Sequence, residues 1–126
     1  MAGELQPYHA HIYFEPGERA AANRLRQRLA EAKPIILFVG ELRDEPVGPH
    51  PKAQFEAHFR EDAVAQVVAL IEESRLTALV HPLTDDDLAD HTSLGHWIGA
   101  PLPLDLSVLD PPGMNKGVAR FGKSDF

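Results

Sequence analysis

Tyr8-His9-Ala10-His11-Ile12-Tyr13-Phe14 alternates strictly between two sets of side chains. Tyr8, Ala10, Ile12 and Phe14 point one way, and His9, His11 and Tyr13 point the other. A period of two in β-branched and aromatic residues reads as a strand. Pro16-Gly17 ends it. Beyond the turn, Ala21, Ala22, Leu25 and Leu29 recur at helical spacing between Glu18 and Ala32. Glu18 falls in the first turn of that helix, where the dipole favours a carboxylate, and Pro34 is expected to close it. Ile35-Ile36-Leu37-Phe38-Val39 is a short apolar run, expected as a strand buried on both faces or nearly so.

Gly40 to Pro51, with Pro46, Gly48 and Pro49 inside it, is too rich in turn residues for a strand interior. Gln54 to Phe59 alternates again: Phe55, Ala57 and Phe59 on one face, Gln54, Glu56 and His58 on the other. Asp62 is placed to cap a second helix running to about Ser74, striped by Val64, Val67, Val68 and Ile71. Thr77 to Val80 forms a fourth strand leading into His81-Pro82. Thr84-Asp85-Asp86-Asp87 has the form of a capping box, so a short helix is expected up to Asp90. From Gly99 the chain is rich in proline, and Asp110-Pro111-Pro112-Gly113 reads as the start of a loose tail.

Strand, helix, strand, strand, helix, strand is the split βαβ order. It predicts an α+β, ferredoxin-like βαββαβ sandwich, with an antiparallel sheet carrying both helices on one face. One domain accounts for residues 1–126, with a core over about 7–109 and a tail over about 110–126. The first and third strands are then central, with the fourth antiparallel beside the first.

Composition narrows the functions. With 12 basic and 19 acidic residues the formal net charge is −7, which excludes a nucleic-acid partner held by bulk electrostatics. Cysteine is absent, and with it disulfides, thiolate zinc sites and cysteine nucleophiles. Met1 to Pro7 lacks the basic head and apolar run of a signal peptide, and no apolar stretch approaches the roughly 18 residues that span a bilayer. No membrane association is expected, and the expected location is the cytoplasm. No GxSxG, P-loop, GxGxxG or HExxH motif occurs.

Seven histidines remain to be explained. On the predicted sheet His9, His11, Tyr13, Glu56 and His58 share the face away from the helices, and His81 falls beside His9. Two histidines at i and i+2 stand about 7 Å apart along a strand, close enough to converge on one ion. A third ligand from a neighbouring strand completes a facial set that leaves open positions on Fe(II). His9 and His11 read equally as solvent-side residues of a half-exposed sheet. His50, between Pro49 and Pro51, is held for acid/base work or sits in a rigid surface turn. His91 follows an acidic run that can orient it, or it ends a helix where a cation is favoured. His58 and His96 read as incidental, exposed or merely supporting. Trp97 walls an aromatic pocket or simply packs. Arg43 is a weak candidate for a substrate carboxylate.

Residues 8–14, Gly48-Pro49-His50-Pro51 with Phe55-Glu56, Leu79-Val80-His81-Pro82-Leu83-Thr84 running on to Asp90-His91, and Trp97-Ile98-Gly99 with Leu102-Pro103-Leu104 together resemble the DOPA 4,5-dioxygenase family of fungi and bacteria. The likeness covers about residues 7 to 109, in order. It implies extradiol cleavage of a catechol ring, as in L-DOPA, by non-heme Fe(II) and O2, with zinc as a stand-in in purified protein. Its matching histidines are His9, His11, His50, His81 and His91. The reading is therefore a dioxygenase with His9, His11 and His81 as metal ligands. Glu56 is an alternative ligand or an orienting group, His50 and His91 are the proton-transfer candidates, and Tyr13 is a hydrogen-bond donor to substrate or bound oxygen. A homodimer is expected, the open sheet face being roofed by residues 91–104 or by the second subunit. The rivals are a non-catalytic ferredoxin-like module that binds a small ligand or partner, a metal-dependent hydrolase and a cofactor-free monooxygenase.

Overall fold

The computed structural model describes residues 5–32 and 35–123. Strand β1 runs Pro7–Tyr13, helix α1 Arg19–Glu31, β2 Ile36–Val39 and β3 Gln54–Arg60. Helix α2 follows over Val64–Ser74, then β4 over Thr77–Pro82, the short α3 over Asp87–His91 and β5 over His96–Ile98. The sheet order is β2-β3-β1-β4-β5, with every pairing antiparallel. Its first four strands have the ferredoxin-like arrangement that the sequence predicts. β5 is an addition at the β4 edge, too short at three residues to show a period.

The register decides what each face carries. Ile12 lies opposite Phe55 and Ala78, and Ala10 opposite Ala57 and Val80, so these rows face the helices. With Leu25, Leu29, Val67 and Ile71 from the helices they form one buried cluster. Phe55 and Phe59 are fully buried there, and truncating either to alanine costs about 3–5 kcal/mol. On the other face the rows are His58-His9-His81, Glu56-His11-Leu79 and Gln54-Tyr13-Thr77.

Several local expectations change. Each long helix starts with a turn of 3-10 helix, over Pro16–Glu18 and Glu61–Ala63, so Asp62 lies inside a turn and caps nothing. The first of these turns is closed by Glu15, whose backbone N–H donates to Glu18 Oε1 at 2.9 Å. α3 is capped by Asp86, whose carboxylate accepts from the Ala89 N–H, while Thr84 instead donates through its backbone and hydroxyl to Asp90. Strand β2 is an edge strand with Leu37 43% exposed, because a sheet with helices on one face buries an outer strand on that side only. Pro34 lies outside the described residues. The segment read as a loose tail is tied down: Gly113 N donates to the Asp85 carbonyl, and Asn115 Nδ2 donates to the Thr84 carbonyl and to Asp90. Among the described residues no helix is long and apolar enough to cross a membrane.

Candidate active site

His9 and His11 project from β1, and the antiparallel register brings His81 of β4 next to His9. The polar face that would otherwise meet water is covered by the Gly48–His50 loop, by α3 and by residues 108–121. All three histidines are buried as a result. The roof therefore comes from this chain, and mostly from parts other than residues 91–104. From that stretch Trp97 covers Tyr13, with ring centroids 5.9 Å apart.

One nitrogen from each of His9, His11 and His81 lies within 4.8 Å of the others, and a second such set is His11, His50 and His91. Nε2 of His11 and Nε2 of His81 are 3.1 Å apart. Two nitrogens each about 2.1 Å from one ion and at right angles stand about 3 Å apart, so this spacing suits a shared metal. Hydrogen bonds set the tautomers. His81 Nδ1 donates to the Pro82 carbonyl at 2.7 Å, and His11 Nδ1 lies 3.3 Å from Gln54 Oε1, which can only accept. Both rings thus present a bare Nε2 lone pair, the arrangement in which a second partner orients a ligating imidazole. His9 Nε2 is buried with no hydrogen-bond partner among the described residues, a cost that coordination would remove.

Charge favours the same three. Burial pushes His9, His11 and His81 well below the ordinary histidine range, and their neighbouring imidazoles push further in that direction. They are neutral, as metal ligation requires. His50 is lowered to about 3, chiefly by burial and then by His91. Tyr13, also buried, titrates far above its usual range and keeps its proton. Its O–H lies 2.6 Å from His50 Nδ1 and donates to it, which leaves the His50 proton on Nε2. A protonated Nε2 does not ligate, so the set with His9 fits a metal better than the set with His50.

His91 differs from the rest. Burial lowers it, but Asp87 more than compensates, with its carbonyl 2.8 Å and Oδ1 3.3 Å from Nδ1, and the net shift is upward. Asp87 shifts down despite its own partial burial, through the hydrogen bond to His91 and a second one from the Asp110 N–H. Together the histidines border a cavity of about 160 Å³, also lined by Pro49, Leu83, Leu109, Asp110, Asn115 and Arg120. A site of about 150 Å³ accepts one benzene ring. The space matches a single aromatic ring beside the imidazoles.

Three residues were undervalued by the sequence. His58 is fully buried rather than exposed. Its Nδ1 accepts from the Gly122 N–H at 3.0 Å, its Nε2 lies 3.3 Å from Glu56 Oε1, and its ring stacks on His9. Glu56 thus stands against His58 and belongs to neither histidine set. Phe121 stacks on both His9 and His58, and Arg120 lines the cavity. Arg43 is exposed, bridges to Gln54 through backbone alone in that pairing, and does not line the cavity; His96 is exposed.

The family model described as the Dopa 4,5-dioxygenase family matches residues 8–108. The chain belongs to the DOPA 4,5-dioxygenase family. It is 34% identical over 118 aligned residues to a DOPA 4,5-dioxygenase of Amanita muscaria, covering 86% of this chain and 52% of that protein. An uncharacterized 21.2 kDa protein of Botryotinia fuckeliana is 35% identical over 115 residues, covering 81% of this chain and 62% of that one. The chain spans between about half and three-fifths of the length of these curated relatives. A solved structure from Nostoc punctiforme, described as a candidate dioxygenase, superposes with a TM-score of 0.75 at 34% identity over 82% of this chain and 90% of that one. The DOPA 4,5-dioxygenase match takes in all five cavity histidines but stops short of Asn115, Arg120 and Phe121.

Proposed function

We propose that this chain is a non-heme Fe(II) dioxygenase of the extradiol type, opening the ring of a catechol such as L-DOPA with O2. The observation that carries this reading is the unprotonated Nε2 pair of His11 and His81, 3.1 Å apart, beside the unpartnered Nε2 of His9, at the floor of a ring-sized cavity. These three residues would hold the metal, and Fe(II) would supply the electron transfer between catechol and O2 that uncatalysed spin pairing forbids. The reaction breaks one ring C–C bond beside a hydroxyl and adds both oxygen atoms, so that catechol and O2 become a hydroxymuconic semialdehyde. Imidazoles, with no negative charge of their own, leave the ion open to an anionic catecholate.

The remaining residues position and move protons. Tyr13 fixes His50 so that Nε2–H points a donor at substrate oxygen. His91, backed by Asp87, faces the same cavity and can accept a catechol proton and return it to the product. Glu56 orients His58, which in turn holds the His9 ring flat. Pro49 and Leu83 limit water around the ring. A cytoplasmic homodimer completes the proposal; Leu94, Leu106, Val108, Met114 and Val118 remain exposed and support self-association, which light scattering at micromolar concentration tests.

The deciding experiment is anaerobic purification with metal analysis, then addition of Fe(II) and air to L-DOPA, caffeate or protocatechuate. A yellow ring-opened product is expected with iron and not with zinc. Stoichiometric iron without product from any catechol overturns the reading.

A further inference from the structure

Strand β5 is an addition to the ferredoxin-like sheet, and Gly95-His96-Trp97-Ile98-Gly99 is cut to lie close against β4. A Cβ at Gly95 would stand 3.0 Å from Leu79 Cδ1, and one at Gly99, whose φ is +83°, would stand 3.1 Å from Thr77 Oγ1. Alternation then sorts the side chains between. Ile98, opposite Ala78, joins the core, and Trp97, opposite Leu79, stands on the histidine face. The indole stacks on Tyr13, with centroids 5.9 Å and planes 22° apart. Trp97 is half-buried and borders an open groove together with Leu102, Pro103 and Leu104. Tyr13 is buried and does not border that groove, so the indole is the layer between the two.

We infer that Trp97 is a positioning residue, which keeps water from the Tyr13–His50 hydrogen bond and so holds the His50 proton on Nε2. The Tyr13 hydroxyl donates to His50 Nδ1 at 2.6 Å, and this bond selects the tautomer. A hydroxyl hydrogen turns to whichever acceptor is offered, and a neutral imidazole carries its proton on either nitrogen. Water let in beside the phenol would therefore compete for the hydroxyl proton and supply Nδ1 with other donors. An aromatic face laid on the Tyr13 ring prevents both, by covering the phenol and by fixing its plane. Trp97 touches neither histidine set; it acts through Tyr13 alone. The inference rests on the catechol reading above, in which His50 donates to substrate oxygen.

The test has two readouts. In metal-free protein, proton NMR should show a slowly exchanging hydroxyl proton that Tyr13→Phe removes. Trp97→Ala should speed its exchange with water at least about tenfold, or erase the signal, while Trp97→Phe keeps it. In iron-loaded protein, Trp97→Ala should lower turnover of L-DOPA about tenfold with iron content unchanged. Repeated in the Tyr13→Phe background, the same substitution should cost less than about twofold, since the bond it protects is already gone. Where Trp97→Ala does not fold, Trp97→Leu, which keeps β5 apolar and uncovers part of the phenol, takes its place with the same expectations. No slowly exchanging hydroxyl proton in wild type, unchanged exchange in the Trp97 variant, or equal losses of turnover in the two backgrounds overturns the Trp97 assignment and leaves the catechol reading standing. Wild type that binds iron and opens no catechol overturns the catechol reading, and the exchange rates still decide whether Trp97 shields Tyr13.

Discussion

The imidazoles of His9 and His58 lie face to face, with centroids 3.9 Å apart and planes 9° apart. Adjacent strands place them opposite each other, and Phe121 closes on both, nearly parallel to each. His58 is held from a further side by the Gly122 N–H, which donates to its Nδ1, and Glu56 Oε1 lies 3.3 Å from its Nε2. A ring held this way fixes the plane of its neighbour. His58→Ala should therefore cost about 2–4 kcal/mol through the cavity it leaves. Metal affinity should drop about 10- to 100-fold, the usual effect of losing a group that orients a ligand. His58→Phe restores the stack and should recover most of the stability. Thermal unfolding and metal titration of the two variants check this; unchanged affinity in His58→Ala would show that the stack does not position His9.

His11→Ala should abolish stoichiometric metal binding while the fold survives. His11 belongs to both candidate histidine sets, so its loss leaves no complete set among the described residues. His50→Ala removes a member of only one set and should keep the metal. Plasma emission analysis of the reconstituted variants reads the stoichiometry directly. Full iron in His11→Ala would require ligands outside the two sets.

Tyr13→Phe removes one oxygen and with it the donor to His50 Nδ1. The buried Nδ1 loses its partner, at a cost of about 1–3 kcal/mol. His50 is then free to carry its proton on either nitrogen, so half of the orientation at the cavity is lost. The turnover number should fall about 10- to 100-fold with metal content unchanged. Steady-state rates beside metal analysis separate this from a ligand defect, in which both would fall together.

The sheet was readable because β1 and β3 alternate strictly, and because the split βαβ order places the neighbours of β1. That His9 and His11 share a face and that His81 lies beside His9 follows from that placement. What escaped depends on distant residues. His58 sat on the right face in the alternation, but the groups that bury it lie at Phe121 and Gly122, the latter 64 residues away. Proline-rich sequence after Gly99 signals irregular backbone and says nothing of where that backbone docks; Asn115 settles it by bonding to Thr84 and Asp90. Thr84 and Asp86 are both good cap residues, and the hydrogen bond from Ala89 N–H decides for Asp86. Arg120 was invisible for the same reason as His58.

Acid should unfold the metal-free protein early. His9, His11 and His81 titrate well below 6.5 in the fold and His50 at about 3, so the native state resists protons that the unfolded chain takes up near pH 6.5. Where the unfolded state binds more protons, stability falls as pH falls. Each of these four groups then loses about 1 kcal/mol between pH 6.5 and 5.5, or about 4 kcal/mol together. His91 runs the other way: its raised value stabilises the fold below the unfolded value, and it offsets a fraction of the loss. Domains of this kind hold about 5–15 kcal/mol in total, so a drop of that size brings unfolding within reach near pH 5. The same burial means that these imidazoles are already neutral through pH 6 to 7, so they place no acid limb on activity in that range. Urea titrations of metal-free protein at pH 6.5 and 5.5 measure the slope. A stability that stays level over that interval would show that the histidine cluster takes up protons without unfolding.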